Sequence, residues 1–355
     1  MVKVTAAEVR LEQQFARAAA RGECMVPATD ADRVALNRRV QKGEVIAVAN
    51  GVYDRPDHWL GLSPNEKALH LMRALAKKHP TWVFCGSSAA LAWGLQVPYS
   101  IALPVKVYAG HVPKEQEPYL EIHEVPRIPR EPRVGRVNGV RAVDIAEAVL
   151  ESMLTAEFSD GLAIADSAIR MLGWTRDELL EYVEATGRNR RGVRRALMIA
   201  QHADGRAENG GESKMRAFLI VRGFQLPELQ VEVIDPLEPS RTFRVDFIWY
   251  LPDGRVIIGE FDGRIKYEDE RILRGRPAEE IIFEEKDRES RLTWGRDASI
   301  VRLNWDDFKQ PGALQQKLEM AGVPRSQEAC RLWHERWAAA CAGTAWAAGR
   351  AGSAG

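Results

Sequence analysis

At 355 residues the chain exceeds one ordinary domain, and two or three are expected. Hydrophobic residues make up 45%, enough for a sizeable core, and the charged 28% balances at 50 basic and 50 acidic residues. That balance excludes a global electrostatic pull toward nucleic acid or membrane and leaves any such binding to a local patch.

Four widely spaced cysteines (Cys24, Cys85, Cys330, Cys341) include no Cys-x-x-Cys pair, and seven histidines are scattered, which argues against a zinc site and for a reducing, cytoplasmic setting. The opening MVKVTAAEVRLEQQF reads as no signal peptide, and with no run of about twenty apolar residues no membrane span is expected.

Residues 6–22 predict an amphipathic helix. Asp30 can cap a helix running to about Lys42, Gly43 ends it, and EVIAVANGVY alternates like strands closed at an Asn-Gly turn. Helix, short helix, helix and hairpin is the order of a winged helix-turn-helix. The third helix places Arg33, Asn37, Arg38 and Lys42 largely on one side and lets Val34, Leu36 and Val40 face inward. Such a face suits phosphates and base edges in a major groove. A solvated basic helix in a small α/β module fits the same residues, and both readings stand from this stretch.

SPNEKALHLMRALAKKH opens on a Ser63–Glu66 capping box, and SSAALAWGL predicts a second, short helix. PVKVYAG and YLEIHEV read as strands. VPRIPREPRVGRVNG reads as an exposed Pro/Arg-rich loop, and residues 141–203 as helical throughout. TGRNRRGVRRALMIA sets five arginines just before an apolar run, a pattern that suits phosphate but also plain solvation. ADGRAENGGES (203–213) is polar and Gly-rich and marks a boundary. The last thirty residues begin as a helix and decay into an Ala/Gly tail expected to be disordered. The resulting division is 1–60, 61–205, 206–325 and 326–355.

The chemistry concentrates in the third segment. ESKMRAFLIVRGF predicts a helix with Glu212 in its first turn, where the helix dipole tolerates a carboxylate. ELQVEVI and TFRVDFIWYL read as strands, and Asp253-Gly254 makes a tight turn into VIIGEFDGRIKY. Asp246 interrupts the apolar pattern of the first hairpin arm. Glu260 and Asp262, two apart on the second arm, point to one face. Converging carboxylates repel, and a divalent cation with open water positions, Mg²⁺ or Mn²⁺, relieves that. Such an ion activates water and stabilises charge on a phosphoryl oxygen, with Lys266 or Lys286 available to orient the water or stabilise the transition state. A solvated sheet end whose charges pair with Arg244, Arg264 or Lys266 is the competing account.

Helix Glu, strand Asp, then Glu-x-Asp on the next strand resembles the PD-(D/E)XK nuclease fold. EFDGRIKY, FEEKDRESRLTWG and IVRLNWDDF together resemble the very-short-patch-repair-like endonuclease domains over roughly 208–312. The resemblance implies metal binding by Asp246, Glu260 and Asp262, catalytic roles for Glu212 and Lys266, and a helix carrying Lys286, Arg288 and Arg291 toward the DNA backbone. One departure stands out: Asp262 occupies the position of the usual lysine, so that role moves to Lys266 or Lys286. The N-terminal region, through its winged-helix order and SSAALAWGL, resembles the AbiEi-like antitoxins of abortive-infection systems, which implies DNA binding and a cognate toxin as partner.

The expected fold class is therefore α/β of the α+β kind: a winged helix-turn-helix, a mixed middle domain and a PD-(D/E)XK-like domain. The expected function is a Mg²⁺- or Mn²⁺-dependent DNA endonuclease. The alternative is a transcriptional regulator or antitoxin whose nuclease-like domain is degenerate.

Overall fold

The structure, a computed structural model, describes residues 6–111, 117–124, 133–262 and 278–342. It is a mixed α+β protein with three sheets. Among the described residues no helix is long and apolar enough to cross a membrane. All four cysteines are free thiols.

The N-terminal unit comprises α1 (Ala6–Ala20), α2 (Asp30–Gln41) and the hairpin β1 (Ile46–Ala49) and β2 (Val52–Asp54), turned at Asn50-Gly51. Leu11, Phe15 and Ala18 recur at helical spacing on α1 and pack with Met25, Leu36, Val45 and Tyr53. The residue that caps α2 is Thr29, whose side chain accepts from the Asp32 amide, rather than Asp30. Asp32 is 1% exposed and ties α2 to α1 through Arg10 at 2.6 Å; that guanidinium holds its carboxyl below the usual range. Two helices, not three, precede the hairpin. Gly22 turns the chain in the left-handed region (φ +62°), and Met25 then pairs with Tyr53 as an extra bridge to the hairpin. A helix there would forfeit that pairing.

The middle of the chain builds a five-stranded sheet flanked by helices. After α3 (Pro56–Gly61) and the Ser63-capped α4 (Pro64–Lys78) come β3 (Val83–Phe84), α5 (Gly86–Ala92), β4 (Val105–Tyr108), β5 (Leu120–His123), β6 (Val134–Val137) and β7 (Val140–Val143). The strand order is β5-β4-β3-β7-β6. The end of the expected Pro/Arg-rich loop is therefore strand β6, while 125–132 lie outside the described residues. The expected all-helical stretch likewise opens on β7, where Val140, Ala142 and Val143 are buried. Four helices follow: α6 (Ile145–Thr155), α7 (Phe158–Leu172), α8 (Arg176–Gly187) and α9 (Val193–Ala200). Of the five arginines around 188–195, Arg190 pairs with buried Glu147 at 2.5 Å, and Arg195 donates to the Thr155 carbonyl and lies over the Trp337 ring.

The last third comprises α10 (Gly210–Arg222), β8 (Glu228–Ile234), β9 (Thr242–Tyr250), β10 (Val256–Asp262), α11 (Ala278–Thr293), β11 (Ala298–Asn304), α12 (Pro311–Met320) and α13 (Gln327–Ala342). The sheet order is β11-β10-β9-β8, antiparallel except for the parallel β10–β11 pair. The β9–β10 connection is a five-residue loop, 251–255, with Gly254 at φ +89°, longer than the expected tight turn. One sheet face packs on α10 and α12 through Met215, Leu219, Phe247, Trp249, Leu314 and Leu318. The other packs on α11 through Val245, Ile248, Ile258 and Leu292.

Helix α10 belongs to two cores. Met215 and Leu219 face the four-stranded sheet, whereas Ala217 and Ile220 join the large middle core, as do Trp333 and Ala340 of α13. The 203–213 segment is correspondingly pinned: the Asp204 amide donates to Asp166 at 2.7 Å and Gln96 donates to the Glu208 carbonyl at 2.8 Å. Arg216 on α10 meets Asp166 on α7 at 2.6 Å, both buried, and also donates to the His202 carbonyl.

Removing one partner of a buried ion pair leaves an uncompensated charge. Arg216→Ala should therefore destabilise the protein by about 3–5 kcal/mol in urea unfolding, with Arg216→Met plus Asp166→Leu recovering much of the loss. A loss under about 1 kcal/mol in the single variant, the range of exposed pairs, would show that the pair does not hold α10 in place.

Candidate active site

Asn209 caps α10 by accepting from the Gly211 and Glu212 amides at 2.9 and 3.0 Å. Gly211 is required here: a Cβ on it would stand 2.2 Å from the Phe261 ring. That close approach lays the first turn of α10 over the end of β10. It buries Glu212 to 2% exposure, where its carboxylate accepts from the Glu208 amide (2.7 Å), the Asn209 amide group and Gln230 Nε2 (3.1 Å).

The β9–β10 ladder stops at Gly259 opposite Phe247, while β10 stays paired with β11 as far as Asp262 opposite Asn304. Beyond that point the Phe261 N–H donates to Asp246 Oδ2 at 2.8 Å, so a side-chain carboxylate takes over from the absent strand partner. Across the sheet, Gln230 sits opposite Asp246 in the left-handed region (φ +53°), which costs a non-glycine residue on the order of 1 kcal/mol or more. The consequence is a change of face. Leu229 and Phe247 pack toward α10, whereas Val231, Val233, Phe243 and Val245 pack toward α11. Asp246 stands at this switch and Gln230 Nε2 reaches its Oδ1 at 3.2 Å. The other amide atom, Gln230 Oε1, is buried with no hydrogen-bond partner.

Glu260 is 8% exposed on the α11 side of the sheet, and Arg288 holds it at 2.9 Å while also donating to the Arg244 carbonyl. Burial pushes the Glu260 carboxyl up, with Arg288 opposing and Asp246 adding to the rise. Burial pushes Glu212 up to about 7, with the Glu208 amide opposing and Asp246 again adding. Asp246 is thus the charge that both glutamates feel, one from each face of the sheet. Three carboxylates and an orphaned amide oxygen match the hard-oxygen preference of Mg²⁺ or Mn²⁺, although Arg288 already balances Glu260.

Other expected contributors lie elsewhere. Asp262 faces Arg302 at 2.9 Å, and that guanidinium also gathers Glu285 at 2.6 Å and Glu289, so Asp262 is engaged in an arginine-centred ion-pair network. Arg291 is engaged with buried Asp235 at 3.0 Å and with Asp287. Arg288 and Arg291 therefore serve internal ion pairs rather than presenting an open DNA-facing row. Lys286 is exposed and lies two residues, about 200° around α11, from Arg288, which meets Glu260. Lys266 lies outside the described residues. The carboxylates are also not drawn into a tight cluster. Among the described residues, one set of three His, Cys, Asp or Glu residues has ligand atoms within 4.8 Å of one another, and it is Asp54, His58 and His70.

On the N-terminal unit, Arg33, Asn37, Arg38 and Lys42 are all exposed along α2, as expected. Arg33 pairs with Asp30 at 3.1 Å, and Asn37 accepts from the Tyr53 hydroxyl at 2.6 Å, tying the helix to the hairpin. Leu36 is buried, but Val34 is 47% exposed rather than inward.

Sequence reasoning missed Gln230, Arg302 and the pairing of Arg288 with Glu260. The available signal for Gln230 was a polar residue in mid-strand. Arg302 was legible only as part of the resemblance, in the sequence Arg-x-x-Trp.

No family model matches the chain, and no solved structure matches it. It is similar to two uncharacterized proteins of Mycobacterium tuberculosis, MT2308 of strain CDC 1551 / Oshkosh and Rv2248 of strain H37Rv, with 40% identity over 95 residues in each case. The matched stretch is 27% of this chain and 33% of each relative, so the chain spans about a third of the length of the curated relatives it matches.

Proposed function

We propose that the last third of the chain is a metal-dependent phosphodiesterase centre acting on DNA, carried beside an N-terminal DNA-binding unit. The observation that supports this most is the geometry at the strand switch: Asp246 stands between buried Glu212 and buried Glu260, whose carboxyls burial pushes up and Asp246 pushes further, while Gln230 Oε1 stands unpartnered. The order helix, three antiparallel strands, helix and parallel strand agrees with the PD-(D/E)XK resemblance drawn from the residues.

When bound, Mg²⁺ or Mn²⁺ supplies polarisation of a phosphoryl oxygen and acidification of a water. Asp246 and Glu260 are its holders, with Glu212 oriented toward the same rim by Asn209, the Glu208 amide and Gln230. Gln230 Oε1 is positioned to accept a proton donor, such as a water entering the rim. Arg288 opposes the burial that pushes the Glu260 carboxyl up, and Lys266 is the candidate for placing the nucleophile.

A second reading is favoured by the arginine clamps. Arg288 on Glu260 and Arg302 on Asp262 supply by salt bridge the charge balance that a metal supplies in a working centre. On that reading the domain is a scaffold, and the protein is a DNA-binding regulator or antitoxin.

The readings part on a cleavage assay with plasmid DNA and Mg²⁺ or Mn²⁺. The enzyme reading expects Asp246→Asn and Glu260→Gln each to lose at least ~10³-fold in rate, about 4 kcal/mol, with unchanged circular dichroism. A wild-type protein that cuts neither the plasmid nor an RNA substrate offered under the same conditions supports the scaffold.

A readout independent of cleavage uses Glu212. Its carboxyl titrates near 7 when folded against 4.5 for an ordinary glutamate, so its neutral form is the one the fold favours. That contribution is fully present below about pH 4.5 and is lost as pH rises through about 7. A divalent ion competing with that proton should raise the melting midpoint more at pH 8 than at pH 6, and Asp246→Asn should abolish the difference. Equal Mg²⁺ shifts at both pH values would separate the ion from this carboxyl.

For the N-terminal unit, Arg38→Ala and Lys42→Ala should each weaken DNA binding and lower the slope of log affinity against log salt by about 1. Binding and slope unchanged in the double variant would remove this face from the interface.

A further inference from the structure

We infer that Asp54, His58 and His70 form a second metal site, for a first-row divalent transition ion such as Zn²⁺, at the junction of the N-terminal hairpin and the middle region. The three residues come from three consecutive elements: the end of β2, the short helix α3, and the middle of α4. Their ligand atoms lie within 4.8 Å of one another. A tetrahedral ion at 2.0–2.1 Å from each donor needs ligand atoms about 3.3 Å apart, so loading requires the widest pair to close by up to about 1.5 Å. Two imidazoles and one carboxylate suit Zn²⁺ and other borderline ions, unlike the all-oxygen rim around Asp246.

Local construction supports a built site. Asp54 is 4% exposed, and the Arg55 amide fixes its Oδ1 at 2.8 Å. His58 Nδ1 stands 2.9 and 3.0 Å from the two Asp54 oxygens, a position in which a proton takes the place of an ion between them. The His58 and His70 rings lie 5.5 Å apart. The Cys24 amide donates to the His70 carbonyl at 3.1 Å, so the extended segment before α2 is stapled to α4 beside the site. A histidine satisfied by the core would have both ring nitrogens spoken for. His70 Nδ1 instead is buried without a hydrogen-bond partner, and the side chain of His58, 29% exposed, leaves a way in. An ion here fixes β2, whose Tyr53 hydroxyl holds Asn37 on the exposed face of α2.

The test is a Zn²⁺ titration of the full chain against a competing chromophoric chelator, with Co²⁺ absorption as a second reading of the same site. The expected result is one tightly held Zn²⁺ per chain and intense visible Co²⁺ bands of a four- or five-coordinate site. Both should survive in Asp246→Asn, which separates this site from the carboxylate rim. Both should weaken by at least ~100-fold in His58→Asn and in His70→Asn, more than loss of an outer partner usually produces. In the unaltered protein, Zn²⁺ should protect His58 and His70 from diethylpyrocarbonate, read by peptide mass spectrometry, which decides the matter if either variant fails to fold. Wild-type protein that holds no Zn²⁺ at micromolar concentration, or Zn²⁺ that protects neither histidine, would overturn the site.

Discussion

The placement of α10 is the constraint on which the last third of the structure depends. Its Arg216 is buried against Asp166 of α7, its Ala217 and Ile220 belong to the middle core, and its Met215 and Leu219 floor the four-stranded sheet. A helix held on both sides cannot slide. Gly211 then brings its first turn onto Phe261, and Glu212 is delivered to the sheet end at a fixed height. The segment that looked like a linker, 203–213, is the approach to this wedge, and its backbone is held by Asp166 and Gln96.

At the sheet end the physics turns on where β9 and β10 part. Regular pairing would have consumed the Phe261 amide in the ladder and sent Asp246 to one face. With the ladder ending at Gly259, Asp246 accepts that amide and stands between the two faces. The left-handed Gln230 opposite shifts the face of β8 at the same level, so backbone strain and carboxylate placement share one locus. Strain held beside buried ionisable groups is the pattern expected where geometry serves chemistry.

The basic residues show a division of labour that counting charges does not reveal. Arg288, Arg291 and Arg302 neutralise buried or half-buried acids across α11, β10 and β11. Exposed Arg38 and Lys42 lie on α2, far along the chain. A balanced net charge therefore hides an interior of paired ions and a separate exposed basic face on α2.

Much of the architecture follows from local signals in the sequence. The Ser63–Glu66 box caps α4, the Asn50-Gly51 turn closes the hairpin, and the apolar runs flanking Asp253-Gly254 pair antiparallel, because capping, turn chemistry and alternation act between near neighbours. The carboxylates were visible for the same reason: a charged residue in an apolar strand is conspicuous by itself. Partner choice was not visible. Arg302 lies 40 residues from Asp262, Gln230 lies 16 from Asp246, and the histidines dismissed as scattered meet at the end of β2. Such pairs depend on how strands splay and helices dock, and the free energy that selects them acts through space between elements whose separation along the chain carries no mark of it.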